Sequence, residues 1–189
     1  MVARLTLVIV AMVAWPAALW SSQPPTVATA AGVVHVHAPA FHFLDGEAIT
    51  RLRDGQVVRI ELQLAVLSGP GAAASAEHRR TFVLSYDLWE ERFAVALPGA
   101  PRRAVSHLTA AAAEAWCVQQ LQVPVTAMGT LGRDVPFWIR LDARLIDGSA
   151  DTPDDQGLTL QRLIELLSRR RRTDDVSHTV EAGPFRIKE

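Results

Sequence analysis

One cysteine, Cys117, stands alone in 189 residues. An intramolecular disulfide is excluded, so the fold must be held by its apolar core. Asparagine is absent, which removes every Asn-x-Ser/Thr glycosylation site. Lysine occurs once, as Lys188, so basic charge is carried almost entirely by arginine. Charge of neither sign is in excess. The formal net charge is −1, which gives no electrostatic case for nucleic acid as the main partner. There is no Gly-x-Ser-x-Gly elbow and no Cys/His signature. No catalytic residue and no cofactor is therefore assigned from the sequence.

What is present begins at the N-terminus. Arg4 precedes an apolar run from Leu5 to Val13, broken only by Thr6 and extended with small interruptions to Trp20. A polar stretch with Pro24 and Pro25 follows, and then Ala28-Thr29-Ala30. A positive start, an apolar centre and small residues at −3 and −1 are the order of a secretory signal. The sequence predicts residues 1–30 as a signal peptide cleaved after Ala30, freeing a periplasmic or extracellular domain. The alternative is a retained anchor in the cytoplasmic membrane, with the domain facing the periplasm. A spanning helix wants about 20 apolar residues, and the run supplies sixteen with Pro16 among them. No cysteine closely follows the run, so a lipidated cysteine is excluded as the anchor.

Residues 31–189 are of ordinary length for one domain, and 49% hydrophobic with 21% charged residues is a globular composition. Residues 21–32 read as a loose linker. Val33–Phe43 alternates as a strand, and Pro39 favours an edge or a bend. Residues 44–54 read as a short helix capped by Asp45 and stopped at Gly55. The stretch 57–67 carries the clearest alternation, with Val58, Ile60, Leu62, Leu64 and Val66 on one face. Residues 68–76 read as a flexible loop. Strands at 79–86 and 91–97 form an antiparallel hairpin. A helix spans 105–121 with Ser106 as its cap, and Leu108, Ala112, Ala115 and Trp116 on its inner side. Short and long strands follow at 123–127 and 135–146. Leu160, Leu163, Ile164 and Leu167 mark a helix ending in Arg169–Arg172. A final strand at 177–187 is broken at Gly183-Pro184. The expected architecture is α+β: one curved antiparallel sheet of five to six strands with helices on one face, and 158–189 as a C-terminal helix-strand extension.

The segment Leu84-Ser85-Tyr86-Asp87-Leu88-Trp89-Glu90-Glu91-Arg92-Phe93-Ala94-Val95 is distinctive. So is the helix end Leu52-Arg53-Asp54-Gly55 before a long alternating strand. Together they resemble an uncharacterised family of small exported bacterial proteins, a domain of unknown function, over most of residues 33–147. The resemblance implies a fold and an exported location, and no catalytic residues.

Few residues suggest chemistry. His35 and His37 put two imidazoles on one strand face about 7 Å apart, a spacing that can chelate zinc or copper. His42 is a third donor only if Pro39 breaks the strand register. Otherwise both histidines lie on a wet face. Glu90 and Glu91 are adjacent, so on a strand they point to opposite faces and serve a turn rather than a cleft. Ser106-His107 reads as a helix start, and Cys117 as a small buried residue. Trp138 falls beside Arg140 on the polar row of its strand. Trp138, Arg140 and Trp89 are candidate partner contacts, unless the 158–168 helix covers Trp138 as core. The Arg169–Arg172 run could meet anionic lipid, but flanking aspartates neutralise it.

These observations favour a non-enzymatic interaction domain with an envelope protein as partner. The membrane would be a second partner only if the N-terminal segment is retained. The alternatives are a small-ligand pocket lined by Leu108, Ala112 and the strands at 57–67 and 135–146, or metal binding through His35 and His37. Exposure of Trp89 and Trp138 beside a bare sheet edge would mark a partner surface.

Overall fold

A computed structural model describes residues 23–99, 101–129, 134–146 and 177–187. Its elements in chain order are β1 (Thr26–Ala30), β2 (Val33–His37), α1 (Gly46–Arg53), β3 (Val58–Leu67), β4 (Ala74–Asp87), β5 (Arg92–Leu97), β6 (Arg103–Leu108), α2 (Ala110–Gln119), β7 (Gln122–Pro124), a 3-10 turn (Val125–Met128), β8 (Phe137–Ile146) and β9 (Ser177–Phe185). The class is α+β, as expected, but there are two sheets instead of one. The larger has the order β6-β5-β4-β3-β8-β9 and the smaller β1-β2-β7. The larger sheet is not strongly curved, and helices are few. The proposed helix at 158–168 lies outside the described residues.

Alternation builds the core. Val58, Ile60, Leu62, Leu64 and Val66 of β3 are buried, and so are Phe137, Ile139, Leu141 and Ala143 of the neighbouring β8. Phe82 and Leu84 of β4 and Val95 of β5 continue that face. Leu52 of α1, Cys117 and Val118 of α2, and Val34, Val36 and Val123 of the small sheet share the same cluster. Fully burying one such aliphatic or aromatic side chain is worth about 1.5–3 kcal/mol. The shared apolar face therefore supplies most of the energy that holds the layers together. The opposite face of β3, β4, β8 and β9 is polar and laced. Arg79 bonds Gln63 at 2.8 Å, Gln63 bonds Glu77 at 2.7 Å, and Thr179 bonds Asp142 at 2.6 Å.

Four local expectations are corrected. Residues 26–30 are not linker: β1 pairs antiparallel with β2 through a turn in which Ala31 and Gly32 both have positive φ. Two positive φ values match the twist a two-residue hairpin requires. That hairpin places β2 at the centre of the small sheet, and of the two roles expected of Pro39 it takes the bend, in the turn after the strand. Residues 103–108 are strand β6 before α2 begins, and the helix cap is Thr109, whose Oγ1 accepts from Ala112 N–H. The loop after β3 is tied down: Gly71 N–H donates to Glu181 Oε1 at 2.9 Å, and residues 74–76 already belong to β4.

The inward side of α2 also differs from the expected one. Ala112 is exposed, and the buried residues are Ala113, Glu114, Cys117 and Val118. Glu114, 5% exposed, is the one buried charged or polar residue among the described residues. Its Oε1 accepts from the backbone N–H groups of Phe43 and Leu44, both at 2.8 Å. Its Oε2 stands 2.8 Å from Nδ1 of His42. A buried carboxyl is tolerable only when so satisfied. In return it fixes the loop that inserts Phe41, Phe43 and Leu44 into the core.

The two sheets are joined by a second polar contact. Gln122 N–H of β7 donates to Nδ1 of His78 on β4 at 2.9 Å. Burial, and then the Arg80 charge, lower the His78 pKa below 6.5. The accepting nitrogen must be unprotonated.

Two outcomes follow from this geometry. Glu114→Ala strands two buried N–H donors and should lower unfolding free energy by about 3 kcal/mol or more in urea titrations. Glu114→Gln keeps an acceptor oxygen for both donors and should cost well under half as much. For His78 the folded pKa lies below the unfolded one, so its contribution is complete above about pH 6.5 and is lost as pH falls through the lowered folded value. His78→Gln offers an oxygen to the same N–H. The difference between variant and parent in urea midpoint should shift in the variant's favour as pH drops from 7 to below the lowered value. A pH-independent difference would refute the assignment.

Candidate functional site

The connection between β4 and β5 is built by one side chain. Asp87 Oδ1 accepts from Trp89 N–H at 2.8 Å and Glu90 N–H at 3.0 Å. These two bonds hold the Asp87 carboxyl below its usual pKa, with His107 adding to the effect. Such an aspartate turn pins the backbone of residues 88–90 without any packing. Glu91 completes the turn with φ of 53°, a left-handed conformation that costs a non-glycine residue energy.

The adjacent edge strand is distorted toward this turn. β6 pairs with β5 at Val105–Val95 and at Leu108–Phe93. Ser106 and His107 thus oppose the single residue Ala94, which is a bulge in β6. The extra residue puts His107 at φ of 60° and sends its Nδ1 to Glu90 Oε2 at 2.7 Å. The pair, exposed on both sides, adds a weak link between the β4–β5 turn and the sheet edge. Ser85, Asp87, Glu90, Arg92, Ser106 and His107 line much of a hollow of about 230 Å³ there. A second hollow of about 330 Å³ adjoins it on the outer sheet face, over small residues including Ala94, Ala96 and Ala104, with Arg102 and Val57 at its margin. The fixed turn carries Trp89 at 96% exposure, next to Leu88 at 55%.

The expected contact residues do not form one patch. Trp89 is exposed at the end of the sheet near β6, its edge strand among the described residues. Trp138 is half-buried on β8 opposite Leu67. Leu67 in turn pairs with Ala74 at the far end of β4, so the two indoles are separated by a dozen strand residues, on the order of 40 Å. Trp138 is covered by β9: a Cβ placed on Gly183 would stand 2.5 Å from Trp138 Cδ1. Arg140 is engaged as well, with Nε and its terminal nitrogen on Glu181 Oε2 at 3.1 and 3.0 Å. Glu181 bridges Arg140 to the 68–73 loop, and both contacts lower its pKa. Trp138 and Arg140 are thereby part of the frame, and only Trp89 projects freely.

His35 and His37 share the outward face of β2, with His35 half-buried and His37 exposed. Ala28 and Gln122 flank His35, and Thr26 stands opposite His37. His42 lies beyond the strand and is turned to Glu114. No group of three potential metal ligands occurs among the described residues. Cys117 is buried, and burial and then Glu114 push its thiol pKa far up, so it is not a nucleophile in the folded chain. Glu90 does sit in a turn, as its position between two strands suggested, but Asp87 supplies the cap. Neither Glu114 nor the His107–Glu90 pair was foreseen. The lone acid within Ala-Ala-Ala-Ala-Glu-Ala-Trp was the available signal for the first.

Comparison with family models, with curated proteins and with solved structures finds no significant match.

Gly183→Ala should push the Trp138 ring from its seat and destabilise the fold by about 1–3 kcal/mol. Thermal unfolding measures that loss, and a red shift of indole emission reports the newly wetted ring. An unchanged melting temperature would mean that Trp138 is not packed on β9.

Proposed function

We propose that this chain is an exported, non-enzymatic binding domain that recognises an envelope protein through the end of its larger sheet bearing Trp89. It is an extracytoplasmic protein of the kind its resemblance implies. The observation that carries this reading is the pairing of a 96% exposed indole with a turn fixed by Asp87 and by the His107–Glu90 bond. A flexible loop would lose entropy on docking its tryptophan, whereas a pinned turn presents the ring with that cost already met. Leu88 beside it and the hollows over β4, β5 and β6 supply the surrounding contact surface. Each histidine with a carboxyl neighbour is committed to holding elements together: His42 with Glu114, His107 with Glu90, and His178 with Asp45.

A photo-crosslinking residue at position 88, introduced in the exporting host, should give a discrete protein adduct. Trp89→Ala should abolish that adduct while leaving the melting temperature of the purified domain unchanged. Once the partner is in hand, the same substitution should weaken binding by about 2 kcal/mol or more, roughly 30-fold. Adduct formation that is indifferent to Trp89 would contradict the proposal.

A further inference from the structure

Strand β1 changes where the N-terminal segment can be cut. This inference rests on the reading of the chain as exported. The small-x-small triplets that follow the apolar run are Thr26-Val27-Ala28, Ala28-Thr29-Ala30, Thr29-Ala30-Ala31 and Ala30-Ala31-Gly32. All of them lie within β1 or its turn. Between Trp20 and Thr26 the sequence is Ser-Ser-Gln-Pro-Pro. A cut after Ser21 would place Leu19 at −3, and one after Ser22 would place Trp20 there, both bulky where a small side chain is needed.

Cleavage at any of the small triplets would sever part or all of β1. β1 pairs with β2 over its full length, from Thr26–His37 to Ala30–Val33. Val27 is half-buried and packs on the core. The turn is held from the other side, since Val125 N–H donates to Gly32 O at 2.9 Å. Losing residues 26–30 would bare the β2 edge from Val33 to His37, an unpaired row of donors and acceptors that invites association.

We infer that the chain is not cut after Ala30: it keeps β1 and, with it, the apolar segment as a membrane tether for the domain. The sixteen residues from Leu5 to Trp20 fall a little short of the usual spanning length of about 17–25, so the tether would need local thinning of the bilayer. Arg4 precedes the segment and Trp20 ends it, a charged and an aromatic residue of the kinds that settle at headgroup level. The tether enters β1 after only five residues, which would hold the domain close to the membrane surface.

The test is the intact mass and fractionation of the full chain expressed in its host with a C-terminal epitope. Protease added to spheroplasts reports the side on which the domain lies. The expected result is an unprocessed chain in the carbonate-resistant membrane fraction, digestible from outside. A soluble exported chain beginning at Ala31 overturns the tether and leaves the export reading standing. A new N-terminus between Ser22 and Thr26 likewise overturns it. An unprocessed soluble chain protected inside the cell overturns the export reading, and the tether with it. An Ala28→Leu, Ala30→Leu variant guards the positive result: its mass and location should match the parent's apart from the substitutions.

Discussion

A carboxyl group with three partners, buried in an apolar core, is the constraint on which the other arrangements depend. Glu114 holds the backbone of Phe43 and Leu44 and meets His42. Through these bonds α2 is locked to the loop that leads from β2 into α1. That loop carries Phe41, Phe43 and Leu44 into the cluster shared with β3, β4 and β8. The apolar side chains supply the energy, but apolar contact is not directional. The carboxyl supplies direction, because burying it is costly unless those specific donors arrive. It thereby selects which side of an almost uniformly apolar helix faces inward.

The frame it fixes ends in a surface of different character. On the outer face, arginines and acids lace β3, β4, β8 and β9 together, and loop 68–73 is tied to Glu181. At the β4–β5 turn the same kinds of bond are used to hold a tryptophan out in water. Two residues there have positive φ, Glu91 in the turn and His107 in the β6 bulge. Left-handed backbone at non-glycine residues persists only where its surroundings impose it. Here the Asp87 turn, the β6 bulge and the Glu90–His107 pair impose it. Structure and proposed function meet at that point.

Periodicity made part of this legible. The alternation of β3 and β8 was strong enough to place both strands and their buried faces. The β4–β5 hairpin and α1 also lay close to where pattern put them, although Asp45 at the start of α1 makes no side-chain capping bond and pairs with His178 instead. What pattern could not give was the inward side of α2, because Ala110–Ala113 offers no contrast between faces. Only the clamp on Phe43 and Leu44 decides it. β6 was hidden for a related reason: Arg103–Leu108 lacks clean alternation because a bulge interrupts it, and Ser106 offered a persuasive false cap. β1 was hidden by composition, since Thr, Ala and Val beside two prolines read as linker until β2 supplies a partner. For the contact surface, sequence listed Trp89 together with Trp138 and Arg140 and left the exposure of the two indoles open. Strand register separates them, and β9 and Glu181 engage the latter two.

If the Glu114 clamp governs the fold, the amide protons it accepts should be among the last to exchange. Native-state hydrogen exchange read by NMR at Phe43 and Leu44 is the direct measurement. Their opening free energies should equal that of global unfolding and should track it across denaturant concentrations. Exchange at these two amides through a local opening, several kcal/mol below the global value and insensitive to denaturant, would show that the loop is not held by Glu114 and would contradict the account.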